Sequence, residues 1–296
     1  MAKENLTDQE IQRQQAVQNT IDAKVKAHQA LTDSDIEFIC PVAFKQTLSD
    51  KEKANLGLSK HYSFVPTSRV INDLRTMGWN PVDAVQVKAR KKETNGYQKH
   101  MITFENDSYK TEGATEYPQL LLTNSHDGGN AFTLSAGIFR LVCSNGLVLK
   151  TEDYGTSRLV HKGYSFEAIQ DLVNDFVATI DETLTRITAM KEVELTKAQQ
   201  MEFAKAATLL RFTEKSYNEQ NISDVVDLDD LLSVERKEDA GDGLWEVYNR
   251  VQESIVQGSF HYIGGNKKSR KARPIKNFKQ SIDVNKKLSE LAFAYV

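Results

Sequence analysis

The stretch Tyr117–Leu149, YPQLLLTNSHDGGNAFTLSAGIFRLVCSNGLVL, decides how the rest of the chain is read. Leu120, Leu121 and Leu122 form an apolar run of the length expected for a buried strand. Asp127-Gly128-Gly129 is strong turn chemistry, because glycine enters positive φ without steric penalty. The next run, Ala131–Leu134, reads as a second strand. Ser135–Cys143 reads as a short helix crossing the sheet, since Ile138, Leu141 and Val142 keep helical spacing. Ser144-Asn145-Gly146 closes the stretch as a turn. This is the centre of a packed domain, and it carries no catalytic motif.

Working outward, Tyr62–Val65 predicts a short strand closed by Pro66. Thr67 or Ser68 then caps a helix through Val70, Ile71, Leu74 and Met77 that ends at Gly78. Val82–Lys88 alternates apolar and polar residues, as a strand does. Asn95-Gly96 marks a hairpin turn, and His100–Phe104 is the returning strand. Beyond Gly163 the period changes. Phe166, Ile169, Val173, Phe176, Ile180, Leu184, Ile187 and Met190 predict a long amphipathic helix. A second helix starts at Thr196 with Gln199 placed for a capping box, a third spans Gly243–Gln257, and a last one Ile282–Ala294.

Residues 6–31 predict a polar helix with a thin stripe of Ile11, Val17, Ile21 and Val25, suited to weak packing or to a partner. Leu56-Gly57-Leu58-Ser59 reads as a linker. The expected organisation is an N-terminal helical arm (1–57), an α+β core with a small, mostly antiparallel sheet (58–162), and a helical region (163–296) with a basic loop at 266–279.

The chain has 296 residues, 40% hydrophobic and 27% charged, an ordinary balance for a globular protein. No apolar run approaches the roughly 20 residues that cross a bilayer, and the polar N-terminus is no targeting peptide, so no membrane role and a cytoplasmic location are expected. Cys40 and Cys143 lack metal or disulfide spacing and read as buried, reduced small hydrophobes. Trp79, Phe139 and Trp245 read as core.

The net charge of −3 excludes a histone-like coat, but charge is segregated. From Asn266 to Lys279 there are seven Lys/Arg and no acid: Lys267, Lys268, Arg270, Lys271, Arg273, Lys276 and Lys279. Lys88, Arg90, Lys91, Lys92 and Lys99 form a second cluster around Tyr97 on the predicted hairpin. Against these stands an acidic stretch from Asp224 to Asp242. Flexible basic runs bind phosphate backbones without sequence preference, and cations interleaved with an aromatic suit single-stranded nucleic acid. The same charges also suit a solvated hairpin or an intramolecular partner for the acidic stretch.

His126-Asp127 can be read as a general base with its orienting carboxylate, or as half a metal site with His100 or His161. A site needs three convergent groups and the sequence supplies one pair. The structural reading, an Asp bonding its own turn, is preferred. No catalytic residue, metal or cofactor is assigned.

Asn124–Gly128 (NSHDG) followed by Ile138–Val148 (IFRLVCSNGLV) resembles the uncharacterised phage- and plasmid-encoded family typified by the YfjQ and YafZ prophage proteins. His61–Thr67, Arg158–Gly163 and the Leu244-Trp245 helix ending at Gly258 resemble further segments of that family. The resemblance covers about His61 to the C-terminus and implies no settled activity. Within its segments Arg140, Arg158, His161 and Lys162 can face phosphates, and Arg140 can equally pair inside the domain. The order of predicted elements is also similar in outline to the single-strand annealing proteins of phages, which imply a curved sheet, a basic hairpin and oligomers on single-stranded DNA.

The expected function is non-enzymatic binding of single-stranded DNA in recombination or replication by a homo-oligomer. Lys88, Arg90, Lys91, Lys92, Lys99, Arg140, Lys162, Lys267, Lys268, Arg270, Lys271 and Arg273 would contact nucleic acid. The alternative is an anti-restriction type of counter-defence protein that binds a host defence protein, in line with the resembling prophage genes lying among anti-restriction genes. A metal-dependent nuclease using His100, His126 and Asp127 ranks last.

Overall fold

The computed structural model describes residues 7–89, 91–110, 116–129, 132–140, 157–158, 165–212, 221–264, 266–275 and 278–296. The fold is α+β: an antiparallel sheet with packed helices, then a helical C-terminal region. The chain forms two compact units, one of Met1–Glu112, Pro118–Ala136 and Gly155–Asp175, the other of Gly113–Tyr117, Gly137–Tyr154 and Phe176–Val296. Residue 57 is therefore not a division between units.

The first unit opens with α1 (Asp8–Lys26), α2 (Asp33–Ile39) and α3 (Asp50–Asn55). Each starts at a capping box, Thr7/Glu10, Thr32/Asp35 and Ser49/Glu52, in which two otherwise unpaired N–H groups are satisfied reciprocally. Pro41 ends the regular helix and begins a 3₁₀ turn over Pro41–Phe44. Helix α4 (Thr67–Thr76) leads to β1 (Asn80–Gln86), β2 (His100–Glu105), β3 (Glu116–Asn124), β4 (Thr133–Arg140) and β5 (Ser157–Arg158), in the spatial order β1-β2-β3-β4-β5.

Register sets the core. Ile102 lies opposite Ala84 and Leu122, and Phe104 opposite Leu120, all buried on one face. Val70, Ile71 and Leu74 of α4 are buried, and Thr67 at its first turn reaches His100 and Asn124 at the end of that same row. Residues before 57 complete this unit. Leu31 N–H donates to Pro81 O (2.7 Å), Val42 N–H to Gln86 Oε1 (3.2 Å), and Ile36, Cys40, Val42 and Ala43 are buried. Cys40 is a free thiol, pushed up to about 12 by burial.

Glu105 ends β2 as a buried carboxylate. It accepts from His28 Nδ1 (2.6 Å) and Gln119 Nε2 and pairs with Lys110 Nζ (2.9 Å). Burial pushes its carboxyl up, but the His28 and Lys110 contacts outweigh this and hold it below the usual range. His28 sits at φ 51°, a strained turn just after α1. The N-terminal segment is thus bonded to the sheet.

Three expectations change. Ser135–Arg140 belongs to strand β4, not to a helix. Residues 134–138 are buried without alternation, so the strand shows no period of two and its apolar spacing imitates a helix. Tyr62–Val65 is not a strand. Side chains tie it instead: Tyr62 OH donates to Ser125 O (3.3 Å), and Asn124 Nδ2 to Val65 O (3.3 Å). Pro66 occupies the N-cap of α4, since Thr67 spends its hydroxyl on His100.

The second unit contains most of α5 (Phe166–Glu192), then α6 (Lys197–Arg211), α7 (Ile222–Val225), α8 (Leu228–Leu232), α9 (Leu244–Gln257), β6 (His261–Ile263), β7 (Ser269–Lys271) and α10 (Phe278–Phe293). Thr196 and Gln199 form the expected capping box. Helix α9 is buried around nearly its whole circumference, with Trp245 stacked on Tyr248 at 5.8 Å. Phe203, Ala204 and Ala207 of α6 and Val284, Leu288 and Ala292 of α10 share its core. Phe139 and Cys143 lie outside the residues whose side chains are described.

Trp79 and Trp245, one in each unit, give separate reporters. Leu122→Ala is expected to destabilise the first unit by about 2–5 kcal/mol through the cavity left behind. Urea unfolding followed by Trp79 fluorescence in a Trp245→Phe background measures it; a loss under about 1 kcal/mol would contradict the packed sheet face.

Candidate nucleic-acid interface

The NSHDG turn builds a buried polar relay. His100 Nδ1 lies 3.0 Å from Gln98 O, and a carbonyl only accepts, so Nδ1 carries the proton. Nε2 then accepts from Thr67 Oγ1 (2.8 Å), which in turn accepts from Asn124 Nδ2 (3.0 Å). His126 is buried, its ring 5.2 Å from His100 and 4.6 Å from Phe64. Asp127 Oδ1 accepts from Gly129 N–H (2.9 Å), the self-bonded turn that the sequence implies. Both His100 nitrogens are thus engaged within the protein. Among the described residues no group of three His, Cys, Asp or Glu is placed to hold a metal.

The 87–99 connection joins β1 to β2, which pair antiparallel from Asn80↔Glu105 to Gln86↔His100. Val87 N–H donates to Lys99 O (3.0 Å), a 3₁₀ turn runs through Lys92–Thr94, and Gly96 takes φ 89°. Lys88, Lys91 and Lys92 are exposed. With Gln86, Asn95 and Gln98 they line an open concavity of about 480 Å³. Tyr97 is not a free stacking platform: Lys45 Nζ sits 4.4 Å over its ring and its hydroxyl donates to Glu52 Oε1 (2.6 Å). That hydrogen bond, with those of Ser49 and Lys45, holds the Glu52 carboxyl far below the usual carboxylate range. Lys99 is half-buried, and burial pulls its ammonium down. Arg90 and Lys162 lie outside the described residues. Arg140 ends β4, with its side chain outside them.

The 266–279 run is not a loose loop where it is described. Ser269–Lys271 is strand β7, paired antiparallel with His261–Ile263 of β6, and Lys267 turns the hairpin at φ 59°. Several contacts fix its base. Gly258 ends α9 at φ 72°, where a Cβ would come within 2.7 Å of the Ala272 backbone, so only glycine fits. The Arg211 guanidinium donates to Ile255 O and Arg273 O, joining the last turn of α9 to the strand exit. On the other side, His261 N–H (2.9 Å) and Nδ1 (2.7 Å) meet Asp230 Oδ2. Asp227 N–H donates to His261 O (3.0 Å). The His261 contact, helped by Lys271, holds the Asp230 carboxyl below its usual range.

Among the described residues the acidic stretch therefore meets the basic run through Lys271, and the strand paired with that run through His261. Lys267, Lys268, Arg270 and Arg273 stay exposed, and among the described residues none of the four forms an ion pair. The His261–Asp230 and His28–Glu105 pairs were not foreseen. Their members lie 31 and 77 residues apart, and no short motif links them.

Residues 57–289 match the family described as a domain of unknown function, DUF932, and the chain belongs to it. It is similar to UPF0380 protein YafZ of Escherichia coli K12, 27% identical over 91% of this chain and 93% of that protein. It is also similar to UPF0380 protein YfjQ of the same organism, 28% identical over 79% of this chain and 80% of that protein. No solved structure matches.

Burial pushes His100 below its ordinary value, against the Gln98 carbonyl and Asp127, so the folded protein keeps it neutral. Its contribution is complete above the unfolded value near 6.5 and falls as pH drops below that, because the unfolded chain then binds the extra proton. The urea midpoint reported by Trp79 should decline from about pH 7.5 to about pH 5.5, and His100→Gln should flatten that decline. Equal slopes in the two proteins would contradict the relay.

Proposed function

We propose that this DUF932 chain is a non-enzymatic nucleic-acid-binding protein that holds phosphate backbones on the β6–β7 hairpin and on the 88–92 connection. Single-stranded DNA is the favoured substrate, and recombination or replication the setting. The observation that carries the reading is a contrast between cations. Lys24, Lys45, Arg75, Lys110, Lys191 and Arg236 each pair with a carboxylate. Lys88, Lys91, Lys92, Lys267, Lys268 and Arg270 are exposed with no ion pair among the described residues. Cations left unpaired on ordered hairpins are poised to displace counterions from a phosphate backbone.

Binding of this kind is electrostatic and reads no base edges. With Tyr97 covered by Lys45, stacking on that ring contributes nothing. A second reading, a counter-defence protein that binds a host defence protein, draws on α1. Ile11, Val17 and, from α2, Phe38 are large apolar side chains left exposed, and Val17 and Phe38 border a concavity of about 270 Å³. Exposed apolar surface of this sort favours a protein partner.

Titration of a labelled single-stranded oligonucleotide against salt tests the proposal. Affinity should fall linearly with log salt, and the Lys267→Ala/Lys268→Ala/Arg270→Ala variant should lose about 2 units of slope at about 0.7 per phosphate contact. A duplex of the same sequence tests the strand preference. An absence of binding at low salt would sink the proposal and favour the protein-partner reading.

A further inference from the structure

The acidic stretch and α6 enclose a second open groove, of about 590 Å³, in the C-terminal unit. Glu202, Asp224, Asp227 and Asp229 stand along it as exposed carboxylates, and among the described residues none forms an ion pair. Its apolar members include Met201 and Ile263, two of the large hydrophobics that the fold leaves in solvent (36% and 44% exposed). Lys205 of α6 also lines the groove, and the β6–β7 wall contributes His261, Tyr262, Ile263 and Ser269 but none of Lys267, Lys268 and Arg270.

Complementary chemistry is present elsewhere among the described residues. The end of β1 and the connection after it expose Val85 and Val87 (47% and 48%), followed by Lys88, Lys91 and Lys92. Two exposed valines beside three unpaired lysines match two exposed apolar side chains beside unpaired carboxylates. Each feature is by itself a surface that water and counter-ions must cover. Joined, they bury apolar area and neutralise both charge sets.

We propose that the acidic groove of one copy takes up Val85, Val87, Lys88, Lys91 and Lys92 of a second copy. Donor and acceptor surfaces differ, so each copy offers one of each to its neighbour. This goes beyond nucleic-acid binding and does not rest on it, although phosphate and groove would compete for the same three lysines.

Sedimentation velocity of nucleic-acid-free protein, from about 0.05 to about 0.5 M salt, provides the test. Wild type should associate in a concentration-dependent way at low salt and dissociate at high salt. Glu202→Lys/Asp224→Lys/Asp229→Lys reverses the groove while sparing Asp227, which caps α8, and Lys88→Glu/Lys91→Glu/Lys92→Glu reverses the segment. Each variant alone should weaken association by about tenfold or more. An equimolar mixture should associate again, because the acidic segment of one then meets the basic groove of the other. Trp79 and Trp245 unfolding midpoints near wild type confirm that both variants fold. A wild type monomeric throughout, or a mixture that fails to recover, overturns the proposal. The Lys267→Ala/Lys268→Ala/Arg270→Ala variant, which addresses nucleic acid alone, should associate as wild type does.

Discussion

The register between β2 and β3 governs the first unit. Ile102 and Phe104 meet Leu122 and Leu120 on one face, while Glu105 meets Gln119 on the other. Because side chains alternate along a strand, a slip of one residue would drive Glu105 into the apolar layer and lift Phe104 out of it. That is costly in both directions, since a buried carboxylate needs partners in place. The register also fixes what the strand ends carry. His100 and Asn124 sit opposite each other within reach of Thr67, so α4 is tied to the sheet by hydrogen bonds as well as by packing. At the far end, Glu105 meets Lys110 and His28, and through His28 the end of α1. The lysine-bearing 87–99 connection then emerges from a β1–β2 ladder that shifts register between Pro81 and Asp83 and then runs from Asp83↔Thr103 to Gln86↔His100.

Where the sequence carried a local signal, it was legible. The 3.6-residue period of α5, the capping box of α6, the glycine stop of α9 and the turn at Asp127-Gly128-Gly129 all act within a few residues, and each is present. The failures have one physical character. Strand β4 is buried along both faces, which erases the alternation that marks a strand. Tyr62–Val65 has strand-like residues but is not a strand, and the side chains of Tyr62 and Asn124 tie it to the NSHDG turn and β3. In the basic run, dense charge suggested a flexible loop. Its order comes from Gly258, Arg211 and Asp230, residues that lie outside it.

The candidate site was read from composition, and the structure refines it by burial. Lys99 and Tyr97 stood in the expected cluster, yet both are drawn inward: Lys99 is half-buried, and Tyr97 is held between Lys45 and Glu52. Nothing in sequence separates Lys99 from Lys88, because exposure depends on which strand face the ladder turns to solvent. The segregation of acid and base was visible as a pattern, but its geometry was not. One basic residue and one histidine lean on Asp230 while their neighbours remain in water.

That division carries the functional argument. Exposed ion pairs contribute little to stability, about 0–1 kcal/mol, so leaving Lys267, Lys268 and Arg270 unpaired costs the fold almost nothing. The costly electrostatics lie elsewhere, in the buried Glu105 cluster and in Arg211, whose guanidinium is spent on backbone carbonyls at the hairpin base. The Glu105 cluster thus fixes the far end of the β1–β2 ladder and Arg211 the base of the β6–β7 hairpin, while Lys88, Lys91, Lys92, Lys267, Lys268 and Arg270 form no ion pair among the described residues. A rigid support with unneutralised cations has already met the ordering entropy that a disordered basic tail would lose on contact. The same logic applies to Asp224 of α7 and Asp229 of α8: both are exposed on short helices, and Val226 between those helices bridges to Tyr262. Under the two proposals above, association between copies and attraction to phosphate are two outcomes of a single charge layout: removing the β6–β7 cations addresses phosphate alone, whereas removing Lys88, Lys91 and Lys92 addresses both.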